Sequence, residues 1–190
     1  MNGRIQVLGI AGSLRRASYN RGLIRAAEQV VPEGVDFRTF DLLPIPLFNQ
    51  DVEAEGDPAP VQELKARIGE ADALLIAAPE YNYSIPGVLK NAIDWASRPP
   101  NSSSLRHKPI GLMGASPGGF GTARSQLALR QVFLFTKSLV LPEPELYVAT
   151  AYQKFDQDGD LLDDETRRRV RALLEALIDW TRRVGSAARS

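Results

Sequence analysis

The chain has 190 residues, 44% of them apolar and 24% charged, which are ordinary values for one globular domain. It has no cysteine and one histidine, His107, which excludes thiolate nucleophiles, cysteine-held zinc or iron–sulfur clusters, disulfides and multi-histidine metal sites. Lysine plus arginine (23) equals aspartate plus glutamate (23), so no net field draws the chain to nucleic acid or acidic lipid.

The opening MNGRIQVLGIAGS carries one basic residue and no long apolar stretch ahead of its glycines. It reads as a first strand and not as a signal peptide, and no apolar run reaches the ~20 residues of a membrane span. The expectation is a soluble, cytoplasmic protein, one domain over residues 1–190. Arg4–Ala11 is nearly continuous in apolar and β-branched residues, the pattern of a strand buried on both faces. Gly12–Asn20 is a polar turn. Leu23, Ile24, Ala27, Val30 and Val31 recur at helical spacing until Pro32 and Gly34. Val35–Leu42 is a second strand, stopped by Pro44 and Pro46, and Phe48–Pro60 a long acidic loop. Val61, Leu64 and Ile68 mark a second helix, and Ala73–Ala78 a third strand. Val88, Leu89, Ala92, Ile93 and Ala96 mark a third helix with Pro86 in its first turn. Lys108–Ala115 is a fourth strand, followed by the glycine-rich Ser116–Gly121. A fourth helix follows, with Leu127, Gln131, Leu134 and Phe135 along one side. Glu145–Ala149 is a fifth strand. The last helix starts near Asp163 or Asp164, which suit an N-cap. Its inner stripe is Val170, Leu173, Leu174, Leu177, Ile178, Thr181 and Val184.

Strand and helix alternate five times, which makes this an α/β chain with a parallel sheet covered on both faces. The favoured form is a doubly wound five-stranded sheet of flavodoxin-like order 2-1-3-4-5. Ligands bind such sheets outside the carboxyl ends of the strands, at the switch point. That rule selects the loops after strands one, three and four.

The first loop is GSLRRASYN. Gly12 allows a sharp turn, Ser13, Ser18 and Asn20 supply hydroxyl and amide donors, and Arg15 supplies a guanidinium. With the free amides and positive end of the next helix, the set suits a phosphate. A dinucleotide fingerprint fits only in part: Gly9 and Gly12 are followed by Arg15 where a third glycine should stand, although Asp41 could mimic the ribose-binding acid. No Gly-Lys-Ser/Thr follows, so a Walker A loop is excluded. The second loop is PEYNYSIPGVLKNAIDW, which crowds Tyr81, Asn82 and Tyr83 at the end of the sheet. They suit the faces and polar edge of a planar heteroaromatic ring; as residues alone they suit core filling or a subunit contact equally. The third loop is ASPGGFGTARSQ, whose Gly118, Gly119 and Gly121 permit close backbone approach to a ligand, with Thr122 or Ser125 able to cap the next helix.

Gly114-Ala115-Ser116-Pro117-Gly118 also matches the nucleophile elbow of serine hydrolases. Pro117 has no N–H for an oxyanion, however, and the only histidine precedes the serine. Asp156, Asp158 and Asp160 imitate the start of a calcium loop, but Leu161 and Arg167 occupy the positions that need glycine and glutamate. They read as an acidic turn around Gly159. Arg167, Arg168, Arg169 and Arg171 read as a solvated helix face, and His107 as an exposed loop residue.

From about Ile5 to about Leu177 the chain resembles the NADPH-dependent FMN reductase family, especially bacterial NAD(P)H:quinone and chromate reductases. The resemblance is carried by GSLRRASYN, PEYNYSIPGVLKNAIDW and GTARSQLALRQ. It implies a flavodoxin-like fold, non-covalent FMN, NAD(P)H as donor and a homodimer or homotetramer. Carried over by motif, Ser13, Arg15, Ser18 and Asn20 would hold the FMN phosphate. Pro79, Glu80, Tyr81 and Asn82 would line the isoalloxazine ring, and Ser116 and Gly119 would meet its other side or the ribityl chain. The Val88–Ser97 helix resembles the family's dimer helix, which makes Trp95 an interface candidate. The implied activity is hydride transfer from NAD(P)H by way of FMN to a quinone, free flavin, azo compound or chromate. No catalytic side chain and no metal are implied, and the partner is a small molecule, neither nucleic acid nor membrane. The alternative is a flavodoxin-type electron carrier without catalysis.

Overall fold

A strand with no polar side must be covered on both faces, and the third strand, Ala73–Ala77, meets that requirement at every residue. The structure is a computed structural model describing residues 4–187; the first three residues of the opening segment lie outside the described residues. In chain order the elements are β1 (Ile5–Ala11), α1 (Tyr19–Gln29), β2 (Val35–Phe40), α2 (Gln50–Glu55), α3 (Ala59–Glu70), β3 (Ala73–Ala77) and α4 (Gly87–Ala96). Then come β4 (Pro109–Ala115), α5 (Ala123–Phe135), β5 (Leu139–Val140), β6 (Leu146–Val148), a short 3₁₀ turn (Ala151–Gln153) and α6 (Asp164–Ala187).

The sheet is parallel in the order β2-β1-β3-β4-β5, the doubly wound arrangement expected. Alternate strand residues feed two cores. Val7, Ala73, Leu75 and Ala77 pack with α1 and α6 on one face. Leu8, Ile10, Leu74 and Ile76 pack with α3, α4 and α5 on the other. The chain reverses strand order between β1 and β3, which puts the loops after β1, β3 and β4 side by side.

The outer edge differs from expectation. β4 pairs with β5 at Pro109 and Ile110 and with β6 at Met113, Gly114 and Ala115. The fifth strand expected at Glu145–Ala149 is β6, and the two-residue β5 is additional. Pro142 and Pro144 lie between them and cannot donate to a ladder, so one edge position is filled in two pieces. The acidic loop also holds α2, capped by Asn49, whose side chain accepts from the Asp51 amide, with Asp51 and Glu53 favouring the positive end.

Two helix faces need correction. The buried side of α5 is Ser125, Gln126, Leu129 and Phe133, whereas Leu127, Leu134 and Phe135 are 56%, 79% and 83% exposed. This helix carries apolar residues on opposite sides, so periodicity alone selects the wrong stripe. Trp95 is fully buried, not at a surface: its indole N–H donates to the Pro46 carbonyl at 2.9 Å and its ring meets Phe48 edge-on. Pro86 sits at the N-cap of α4, one residue ahead of the first turn. The α6 start is as expected, with the Asp163 carboxylate accepting from the Thr166 amide at 2.8 Å. Among the described residues no helix is long and apolar enough to cross a membrane.

Candidate functional site

The first loop turns from β1 into α1 while its Gly12 amide donates to Ala77 O at 2.8 Å, tying it to the end of β3. Ser18 is the N-cap of α1: its Oγ accepts from the Asn20 amide at 3.2 Å, which leaves the hydroxyl proton free. No acidic residue occupies the first turn, so the helix's positive end is not neutralised locally. Ser13 is buried, and among the described residues its Oγ has a single contact, at 3.4 Å to the Tyr81 hydroxyl. Arg15 is exposed, its guanidinium 5.3 Å from the centre of the Tyr19 ring. Asn20 behaves differently from a free donor. Its buried side-chain amide donates to Ala115 O at 2.9 Å, and its Oδ1 accepts from Ala115 N at 3.0 Å. The last rung between β3 and β4 is Ala78 N to Met113 O. Two residues further on, Asn20 stands in for the strand that has ended.

Pro79 is buried, and beyond it the second loop folds back in a tight turn: the Tyr81 and Ser84 backbones exchange hydrogen bonds at 3.1 and 3.0 Å. Its central residues, Asn82 (φ 48°) and Tyr83 (φ 67°), are both left-handed, as a type I′ turn requires. Asparagine tolerates that conformation; tyrosine adopts it rarely. Tyr81 and Tyr83 are 49% and 73% exposed, which removes core filling from their open readings.

Glu80 points to α5. Its carboxylate accepts from the Arg124 amide at 3.0 Å, from the Ser125 amide at 3.4 Å and from Arg124 Nε at 2.5 Å, and pairs with a second guanidinium nitrogen. Neither expected residue caps this helix through its side chain. Thr122 holds the N-cap place at φ 76° and makes no such bond, and the Ser125 hydroxyl has no partner among the described residues. Arg124 lies between the Tyr83 and Phe120 rings, 3.6 and 4.4 Å from their centres. The hydrogen bond to Glu80 is the chief cause holding its pKa above the ordinary arginine value.

The third loop is pinned to the far edge. Ser116 N donates to Val148 O at 3.0 Å, Ala151 N donates to Ser116 O at 3.0 Å, and Thr150 N donates to Gly118 O at 3.2 Å. Ser116 Oγ accepts from the Gly118 amide at 3.2 Å. Gly119 is open, with nothing within 4 Å of an added Cβ. At Gly114, by contrast, a Cβ would fall 2.0 Å from Thr122 Oγ1 and 2.4 Å from Ala78 O.

Ser13, Arg15 and Ser18 therefore meet Pro79, Tyr81 and Asn82 at one end of the sheet, with Ser116 and Gly119 on the neighbouring strand's loop. Asn20 and Glu80 are there too, turned to structural partners. Sequence reasoning missed Phe120, and the joining of Glu80 to Arg124; its one signal was an acid leaving β3 and an arginine entering α5. The rival readings fail on geometry. His107 precedes β4 and Ser116 follows it, so the seven-residue strand holds them on the order of 20 Å apart. Burial pushes the Asp41 carboxyl up, but hydrogen bonds from the Leu43 amide and from Arg21, at 2.8 Å, outweigh it and hold it below the usual carboxylate value. It closes the turn after β2. Asp156 accepts from the Asp158 and Asp160 amides in a turn with Gly159 at φ 78°, and no group of three or more candidate metal-binding His, Cys, Asp or Glu occurs among the described residues.

The donor set fits FMN. A phosphate has only acceptors, and two buried hydroxyls, a guanidinium and helix amides offer only protons to it. Comparisons agree. A model of the NADPH-dependent FMN reductase family matches residues 5–153. The chain is 48% identical to an NAD(P)H-dependent FMN reductase of Pseudomonas aeruginosa, over 97% of this chain and 99% of that one. It is 47% identical to an NAD(P)H:quinone oxidoreductase of Solanum tuberosum, over 91% of each. Among solved structures it matches the flavoenzyme NAD(P)H:(acceptor) oxidoreductase FerB of Paracoccus denitrificans, with a TM-score of 0.84 and 34% identity over 94% of this chain and 98% of that one. The phosphate-ready turn, the tyrosine turn and the family match over most of the chain converge: this chain belongs to the NADPH-dependent FMN reductase family.

Proposed function

We propose that the protein is an FMN-dependent oxidoreductase that moves hydride from NAD(P)H to a small acceptor, a quinone first among them. The observation that carries this is the pairing of a protonated-donor loop, Ser13, Arg15 and Ser18 at the α1 N-terminus, with an exposed tyrosine turn at the same switch point. Bound FMN supplies the hydride-transfer chemistry, so no side chain need act as a general base.

The chain's residues bind and orient. Ser13, Arg15 and Ser18 hold the phosphate, and Asn20 fixes the helix start against β4. Pro79, Glu80, Tyr81 and Asn82 frame the ring. The central amides of the turn, those of Asn82 and Tyr83, donate to no described residue and are available to the ring's polar edge. Ser116 and Gly119 border the other side, where the open Gly119 leaves room for nicotinamide and acceptor. Free flavins, azo compounds and chromate are further candidate acceptors, and an NAD(P)H donor fits the cytoplasm. The exposed Leu127, Leu134 and Phe135 on α5 support a homodimer or homotetramer.

Steady-state NAD(P)H oxidation with a benzoquinone tests the assignment. Turnover that requires FMN is expected; a protein that binds FMN and does not turn over is the electron carrier instead.

A further inference from the structure

The contacts that join the second and third loops are the least explained part of the site. Glu80 and Tyr83 come from one loop, and Phe120 and Arg124 from the other. The Glu80 side chain is 7% exposed, and among the described residues its carboxylate is hydrogen-bonded by Arg124 and Ser125 in the first turn of α5. A carboxylate is costly to bury unless it is paired and hydrogen-bonded. Most helices are capped by the side chain at the N-cap position itself. Thr122 does not cap; its hydroxyl accepts from Gln126 Nε2 at 3.1 Å. The cap is drawn instead from another loop, 44 residues away in sequence.

Arg124 completes the arrangement. Its planar guanidinium forks onto Glu80 while both faces lie against aromatic rings, a combination that lysine cannot supply. Tyr83 is held in a conformation its type rarely visits, at the tip of the turn expected to face the ring. We propose that Glu80 and Arg124 are positioning residues that clamp the second loop to the third as a charge-neutral pair and thereby set the electrostatic environment of the flavin ring. The proposal rests on the functional reading above.

The charge balance gives it a sign. The intact pair presents no net charge at the ring. Glu80→Gln keeps an acceptor for the α5 amides but leaves Arg124 as an unbalanced cation. Arg124→Met keeps a side chain between the rings but leaves Glu80 as an unbalanced anion. A flavin gains negative charge on reduction, so the cation favours the reduced form and the anion opposes it.

The test is the reduction potential of the FMN-loaded protein, read by spectroelectrochemistry, with FMN affinity measured alongside. Glu80→Gln raises the potential and Arg124→Met lowers it. Each change corresponds to roughly a tenfold shift in the ratio of affinities for reduced and oxidised FMN, about 30 mV for a two-electron couple. The double variant returns close to wild type. Arg124→Lys keeps the potential nearer to wild type while weakening FMN binding. A clamp with a merely structural role moves both single variants in the same direction or neither, and either result overturns the proposal. Should Arg124→Met not fold, Glu80→Gln and Arg124→Lys decide between the same outcomes. Wild-type protein that takes up no FMN overturns the functional reading and the clamp with it. Wild type that binds FMN beside variants with unmoved potentials overturns the clamp alone.

Discussion

Asn20→Ala separates two roles for one residue. The sequence places Asn20 among the phosphate donors, whereas the structure spends its side chain on both backbone groups of Ala115, at 2.9 and 3.0 Å. No β3 residue serves those groups, because the last rung is Ala78 N to Met113 O. Alanine would strand a buried N–H and a buried C=O, each costing about 1–3 kcal/mol. The sum is about 2–6 kcal/mol, which for a chain of this size lowers Tm by on the order of 5–20 °C. The assay is thermal unfolding followed by circular dichroism on protein stripped of FMN, with urea unfolding as a check that the slope is unchanged. A stripped variant melting within about 1 °C of wild type, yet binding FMN poorly, would refute the reasoning and return Asn20 to the phosphate.

Other outcomes follow from particular contacts. Arg15→Ala weakens FMN binding by about 1–3 kcal/mol, read by fluorescence titration, and leaves stripped-protein stability within about 0.5 kcal/mol of wild type, because the side chain is exposed. Gly119→Val leaves Tm unchanged, since nothing lies within 4 Å of the new Cβ, but raises KM for NAD(P)H or acceptor; wild-type kinetics would take the third loop out of the site. Gly114→Ala costs several times more than a surface change, about 1–3 kcal/mol or above, as its Cβ would meet Ala78 O at 2.4 Å; normal stability would mean that the end of β4 yields freely. Asp163→Ala costs about 1 kcal/mol at neutral pH through loss of the α6 cap. Hydrogen bonds from the Thr166 hydroxyl and amide hold the Asp163 carboxyl below the usual value. Its contribution is therefore present above the unfolded pKa and lost as pH falls through the lower folded one. Wild type and variant converge in acid, and a gap that persists there contradicts the assignment.

Much of the fold was legible because its signals are local and repeated. The buried strands show as unbroken apolar runs, and α1, α3, α4 and α6 each show one dominant stripe. What escaped depends on choices that no window of sequence makes. In α5 two apolar stripes compete, and only the sheet selects Leu129 and Phe133 over Leu134 and Phe135. The divided edge strand needed the placement of Pro142 and Pro144 against β4. At the site, residue types pointed to the right end of the sheet but not to their partners. Asn20 and Glu80 have the chemistry of ligand donors, and which of them is already committed depends on Ala115 and Arg124, 95 and 44 residues away.

The central claim is that the turn after β1 is built for the phosphate of a mononucleotide. The most direct test compares FMN with riboflavin, which shares the ring and ribityl chain and lacks the phosphate, in equilibrium titrations of stripped protein. FMN should bind at least about a hundredfold more tightly, the scale of one or two charge-assisted hydrogen bonds, and Arg15→Ala should narrow that gap while leaving riboflavin unaffected. Riboflavin binding as tightly as FMN would contradict the claim.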